Sequence, residues 1–115
     1  MATSTIKKKR IVMFDLTTTL GNSFRGRGTY DPVSDSVRIV VRGASTSAIN
    51  TSTPLFTIPS GYRPQQQYHG EALIRMSDNS FTQGDLHANT DGTIDQGTTN
   101  NLTMVFGYIE YPLHT

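Results

Sequence analysis

Apolar residues in this chain return at every second position, in short runs that turn signals cut off. Over Ile11–Leu20, Val12, Phe14, Leu16 and Leu20 fall on one side, and Met13, Asp15, Thr17 and Thr19 on the other. That is the spacing of a strand with one buried face. No window with the spacing of an amphipathic helix reaches ten residues. The alternation returns over 24–30, where Phe24 and Tyr30 point inward together with Gly26 and Gly28. Glycines on an inward face leave room for a close neighbour or a bend. It returns again over 36–42, where Val37, Ile39 and Val41 oppose Arg38, Val40 and Arg42. Between the two runs, Pro32 in Asp31–Asp35 presets φ for a turn, so 24–42 is expected to be a hairpin.

Pro54–Pro64 divides the chain into an earlier and a later set of strands. Its apolar run Leu55–Ile58 stops at Pro59-Ser60-Gly61, where proline lacks a ladder donor and glycine accepts positive φ. Arg63-Pro64 is a second stop, because the residue before proline is held extended. Upstream, Gly43–Thr53 is rich in Ser, Thr, Ala and Asn without a period, and is expected as a loop with room for a weak strand near Ile49. Downstream, Gln65–Met76 sets Tyr68, Gly70, Ala72, Ile74 and Met76 against His69, Glu71, Leu73 and Arg75. After a loop at Ser77–Ser80, the run Phe81–Thr90 sets Leu86 and Ala88 against Phe81, Asp85, His87 and Asn89. Asn89-Thr90-Asp91-Gly92 has the residues of a tight hairpin. Thr93–Gln96 returns, Gly97–Asn101 is a polar loop, and Leu102–Tyr111 is a last strand with Leu102, Met104, Phe106 and Tyr108 on one face. The pattern predicts an all-β fold, a small antiparallel barrel or sandwich of seven to eight strands. Residues 1–10 form a lead-in and 11–115 one domain.

Apolar residues make up only 35% of the 115, a lean core that suggests stabilisation by association. With no cysteine, disulfide and thiolate chemistry are excluded. No apolar run reaches the length of a membrane-crossing helix, and no signal-peptide core follows Lys7–Arg10, so no membrane contact is expected. The net charge of +1 conceals an asymmetry: without Lys7–Arg10 the remainder has six basic and nine acidic residues. One basic run at one end is not the spread basic face of a nucleic-acid binder, and no nucleic-acid partner is expected.

Gly26 and Gly28 lie in a strand with no helix after them, so they do not make a phosphate loop. No Gly-x-Ser-x-Gly elbow is present, and no catalytic residue or cofactor is assigned. Glu71, Asp85 and Asp91 are the carboxylates a glycosidase pair would draw on. His69 and His87 with Glu71 and Asp85 have the residue types of a metal site, but the spacing is unspecific and no metal is assigned. The same residues suit a saccharide, whose hydroxyls take hydrogen bonds from His, Asp, Glu, Asn and Arg and whose ring stacks on an aromatic. His69, Glu71, Arg75, Asp85, His87 and Asn89, flanked by Phe81 or Tyr68, give that mix; an ordinary wet outer face is the competing reading.

Two stretches carry a resemblance: Phe-Thr-Ile-Pro-Ser-Gly-Tyr-Arg-Pro at 56–64, and Gly-Asp-Leu-His-Ala-Asn-Thr-Asp-Gly-Thr-Ile at 84–94. Both look like the C-terminal β-domains of phage tail proteins, and from Ile6 onward the chain resembles the receptor-binding head domain of lactococcal siphophages. The resemblance implies a β-barrel that forms a homotrimer at the tip of the baseplate, on the distal tail of the virion. It implies binding of phosphate-containing saccharide on the wall of a Gram-positive host during adsorption, without catalysis. It implies that an N-terminal shoulder and neck join the head to other baseplate proteins, with Lys7–Arg10 at the junction. The site roles it implies fall to His69 with Glu71 or His87 with Asp85, to Phe81 as the aromatic, and to Arg75 or Arg63 for phosphate. Where that family can have tryptophan, this chain has none. The competing functions are a structural trimerising cap or decoration domain that binds no saccharide, and a glycosidase or depolymerase.

Overall fold

The computed structural model describes residues 10–21 and 23–114. The basic run at 7–10 therefore lies outside the described residues, except for Arg10, which is exposed. The structure is all β. Its strands are β1 (Val12–Asp15), β2 (Arg25–Asp31), β3 (Ser36–Ile49), β4 (Phe56–Thr57), β5 (Tyr68–Met76), β6 (Phe81–Ala88), β7 (Thr93–Gln96) and β8 (Leu102–Pro112). They form one eight-stranded antiparallel sheet in the order β1-β2-β3-β8-β5-β6-β7-β4. The sheet curls into a half-barrel. Its two ends touch where Thr17, just after β1, exchanges backbone hydrogen bonds with Thr57 of β4, at 3.1 and 2.8 Å. Inside the curl lie Val37, Ile39, Ile74, Leu86, Ile94 and Ile109, all 1% exposed or less.

The predicted hairpin over 24–42 forms as β2 and β3, paired from Arg25↔Arg42 to Asp31↔Ser36. The inward glycines do what their position suggested. A Cβ on Gly28 would lie 2.2 Å from the Phe14 ring, so glycine lets that ring rest on the strand. The Pro54–Pro64 stretch turns as expected: Gly61 takes φ +110, and the Tyr62 amide donates to the Pro59 carbonyl at 3.2 Å. Tyr62 then stacks on Phe14 at 4.3 Å, and its carbonyl accepts the buried Tyr111 hydroxyl, so the turn is tied to β1 and β8.

The structure differs from the sequence expectation in four places. Gly43–Ile49 is strand, not loop. The backbone continues the ladder with β8 (Gly43↔Val105, Ala44↔Met104), and small, mostly exposed side chains leave no apolar period to reveal it. Gln65–Gln67 precedes β5 rather than opening it. The side chains of Gln65 and Gln67 donate to the Leu113 carbonyl and to Asn89 Oδ1, at 3.3 and 2.8 Å, where a strand would project them outward. The Ile11–Leu20 run is a strand only to Asp15; the Leu16 amide still donates to the Gly26 carbonyl of β2 at 2.9 Å, and from Thr17 the chain turns to Thr57. Last, the face expected to hold Leu102, Met104, Phe106 and Tyr108 together is split. The register with β5 shifts between Arg75↔Met104 and Met76↔Leu102. Thr103 is the extra residue of this bulge, buried with its hydroxyl donating to the Arg75 carbonyl at 3.1 Å. Leu102 is thereby buried, while Phe106 and Tyr108 turn to solvent and Val105, Ile109 and Tyr111 fill the core.

Candidate functional site

Strand alternation places the odd-numbered residues of β5 and β6 on the outer face of the sheet. The register then sets their neighbours: His69 is opposite His87, and Glu71 is opposite Asp85. The two imidazoles meet edge to face, with centroids 4.6 Å apart and planes at 75°. On the next strand, Asp95 of β7 is opposite His87, and its Oδ1 lies 2.9 Å from His87 Nδ1. Asp95 Oδ2 accepts from Asn89 Nδ2 at 3.1 Å, and the same amide donates to the Thr93 carbonyl and hydroxyl. Five predicted residues, His69, Glu71, Asp85, His87 and Asn89, thus share one continuous strip over β5, β6 and β7. Two predicted residues do not reach it. Arg75 and Phe81 are paired with each other at the far end of the β5–β6 hairpin. Six residue steps along β5 separate Arg75 from His69, roughly 20 Å at strand rise. Arg75 Nε is buried without a hydrogen-bond partner among the described residues, and Phe81 is exposed. Tyr68 is also unsuited to stack on a ligand here, since it lies on the inner side against Tyr111 at 5.7 Å.

A cleft of about 330 Å³ opens beside the strip, lined by Glu71, Gln83, Gly84, Asp85 and Thr98. Its wall is the loop after β7, and a buried side chain holds that loop. Gln96 Oε1 accepts the amides of Thr98 and Thr99 at 2.8 and 3.1 Å, while its Nε2 donates to the Thr99 carbonyl at 2.6 Å. Thr98 Oγ1 in turn accepts the Asp85 amide at 3.1 Å. Gly84 permits this approach, since a Cβ there would stand 2.4 Å from Thr98 Oγ1. Sequence reasoning missed Asp95, Gln96 and Thr98. Only Asp95 left a signal: an acidic residue two positions beyond Thr93, in a strand paired with His87. Asp91, one of the candidate carboxylates, is instead a turn residue. Its carboxyl accepts the Thr93 amide and hydroxyl at 3.0 and 2.7 Å, and these bonds hold its pKa below the usual range.

Two other surfaces stand out. On the same outer face, Leu73, Phe106, Tyr108 and Val40 form an apolar strip over β5, β8 and β3, each 44 to 56% exposed. Register makes it continuous, with Leu73↔Phe106 and Val40↔Tyr108 as cross-strand neighbours. Further over, above β2 and β3, lies a wider concavity, about 630 Å³, where Arg25 and Arg42 face each other and Asp15 pairs with Arg27 at 3.5 Å. It contains none of the predicted site residues; the histidine strip and its smaller cleft are the candidate site.

No family model matches this chain, and no curated protein matches its sequence.

Proposed function

We propose that the chain is a non-enzymatic phage adhesion domain that binds cell-wall saccharide of a Gram-positive host during adsorption. The carrying observation is the hydrogen-bonded set His87–Asp95–Asn89, with His69 packed edge to face on His87 and Glu71 and Asp85 on the same face. Fixed donors and acceptors on rigid strands suit sugar hydroxyls, because less freedom is lost when the ligand binds. The strip carries three carboxylates and lies far from Arg75, so in this reading hydroxyls are its main ligands and Arg75 and Phe81 lose their assigned roles. The domain acts from the distal tail of the virion, joined to other baseplate proteins through a preceding N-terminal part. It acts as a homotrimer: the apolar strip beside the site offers the surface that copies would cover, and three weak sites engaged together give useful avidity. Binding without turnover fits the exposure of Glu71 and Asp85, since glycosidases keep their acid in a secluded, apolar setting.

The test is binding of the fluorescently labelled domain to intact lactococcal cells, competed with soluble wall polysaccharide or glycerol phosphate. Saturable, competable binding is expected. No binding across a broad strain panel, with the oligomer intact, would overturn the reading in favour of a structural cap. That second reading is favoured by the apolar strip alone, which needs no sugar. Release of reducing ends from purified polysaccharide would instead make the domain a depolymerase.

A further inference from the structure

We propose that His69, Asp85 and His87 form a binding site for a divalent transition-metal ion, with Zn²⁺ the best fit. One ligand atom from each of the three lies within 4.8 Å of the others. The backbone dictates this meeting. His69 and His87 are directly opposite on β5 and β6, and Asp85 is two residues from His87 and so on the same face. A tetrahedral ion with bonds of about 2.0–2.3 Å needs its ligand atoms roughly 3.3–3.7 Å apart. Side-chain rotation of about an ångström closes that gap without moving the strands. Two imidazoles and one carboxylate suit zinc, whereas Ca²⁺ and Mg²⁺ want shells of oxygen.

A separate observation points the same way. His87 Nδ1 is engaged by Asp95 at 2.9 Å, which leaves Nε2 as the free nitrogen. Asp95 is itself held by Asn89. A carboxylate behind an imidazole, anchored in turn by another group, is how metal-binding histidines are oriented and made more basic. Gly97 completes the seat: a Cβ there would lie 2.7 Å from His87 Cε1, so the ring rests on bare backbone. Glu71, Asp85 and Asp95 give the strip negative charge, and Arg75, the only arginine on β5, β6 or β7, stands at the other end of the hairpin. A bound cation would offset that charge. Glu71, opposite Asp85 and exposed, is a further oxygen donor on the same face. If the saccharide reading holds, a phosphate or hydroxyl oxygen would take the fourth position; this extension alone rests on that reading.

Calorimetric titration of the full chain with ZnCl₂ in a non-chelating buffer tests the site, with Co²⁺ absorption as the report on geometry. One ion per chain is expected. Affinity should fall at least tenfold in H69A and in H87A, and about 10–100-fold in D95N. H114A, at the exposed histidine near the C-terminus, should bind as the parent does. Zn²⁺ should also raise the Tm of the parent and not of H69A, whose exposed position leaves the fold unaffected. No binding at millimolar Zn²⁺, undiminished binding in both H69A and H87A, or loss in H114A would each overturn the site. Zinc binding without cell binding would keep the site and defeat the adhesion reading; cell binding without zinc binding would do the reverse.

Discussion

The polar and the apolar strips lie side by side on one outer face, yet they are held very differently. In the polar strip, side chains secure one another: Asn89 donates to Asp95, which meets His87, which abuts His69. In the apolar strip, Leu73, Phe106 and Val40 are exposed, and the one side-chain hydrogen bond among the described residues is the Tyr108 hydroxyl donating to Glu110 at 3.1 Å. A surface whose polar groups satisfy each other is stable facing water and already arranged for a ligand. A contiguous apolar patch facing water is unfavourable until something covers it. The contrast suggests a division of labour, with recognition on one strip and assembly on the other, over a shared core.

The largest expected effect comes from removing what both strips rest on. Leu86 is fully buried in β6 and lies across the β8 backbone, where a Cβ on Gly107 would come within 2.4 Å of its Cδ1. Leu86→Ala should cost about 2–5 kcal/mol in chemical denaturation, and binding and assembly should weaken together. Next in size is the double change Leu73→Asp with Phe106→Asp. Sedimentation should then give a monomer, while circular dichroism stays that of the parent because both side chains already face water. An intact oligomer in that variant would break the assignment of assembly to the apolar strip. His87→Ala should do the opposite: cell binding should weaken more than tenfold with the oligomer unchanged. Equal loss of both properties would show that the strips are not separable.

Much of this arrangement could be read from the chain, and the exceptions have physical causes. Strands with one apolar face announced themselves, as did turns whose residues have a conformational reason to be there, such as Gly61 at φ +110 and Gly92 at φ +90. The pairing of His69 with His87 followed once β5 and β6 were joined by a four-residue turn. The separation of Arg75 and Phe81 from the histidines was implicit in the same count along the strands, since a shared face is not a shared place. The bulge at Thr103 was not legible, because its cause is a shift against β5 rather than anything in Leu102–Tyr108 itself. It reverses which side of β8 faces water, and so the apolar strip was hidden too. Gln96 was hidden for a different reason: a buried glutamine is identified by the loop amides it satisfies, and those come from tertiary structure.

A smaller effect is expected at the far end of the hairpin. Phe81 is 57% exposed and faces Arg75 rather than the histidines. Phe81→Ala should change cell binding by less than about twofold, the range expected of a residue outside the contact. A tenfold loss would extend the polar strip along the whole of β5 and β6, and would return the aromatic to the role that the family resemblance implied for it.

The smallest effect concerns the charged border of the apolar strip. Glu110 accepts from Arg38 Nε at 2.9 Å and from the Tyr108 hydroxyl, and these bonds outweigh partial burial and hold its carboxyl below the usual range. A folded-state pKa below the unfolded one means that the unfolded chain takes up the proton first as pH falls. The stability Glu110 contributes is therefore complete above the ordinary glutamate range, near pH 4.3. It is lost as pH drops through the lower folded value. Asp35, Asp78 and Asp91 are held low as well, so the acid limb is a sum over several groups. Melting from pH 7 to pH 3 should give a Tm that falls below about pH 4.5, and Glu110→Gln should flatten that fall without abolishing it. The flattening should be slight, because an ion pair exposed to solvent is screened. An acid limb identical in the variant would mean that Tyr108 and Arg38 do not hold Glu110 in solution. The apolar strip would then have no polar tie left, which would sharpen its contrast with the histidines still further.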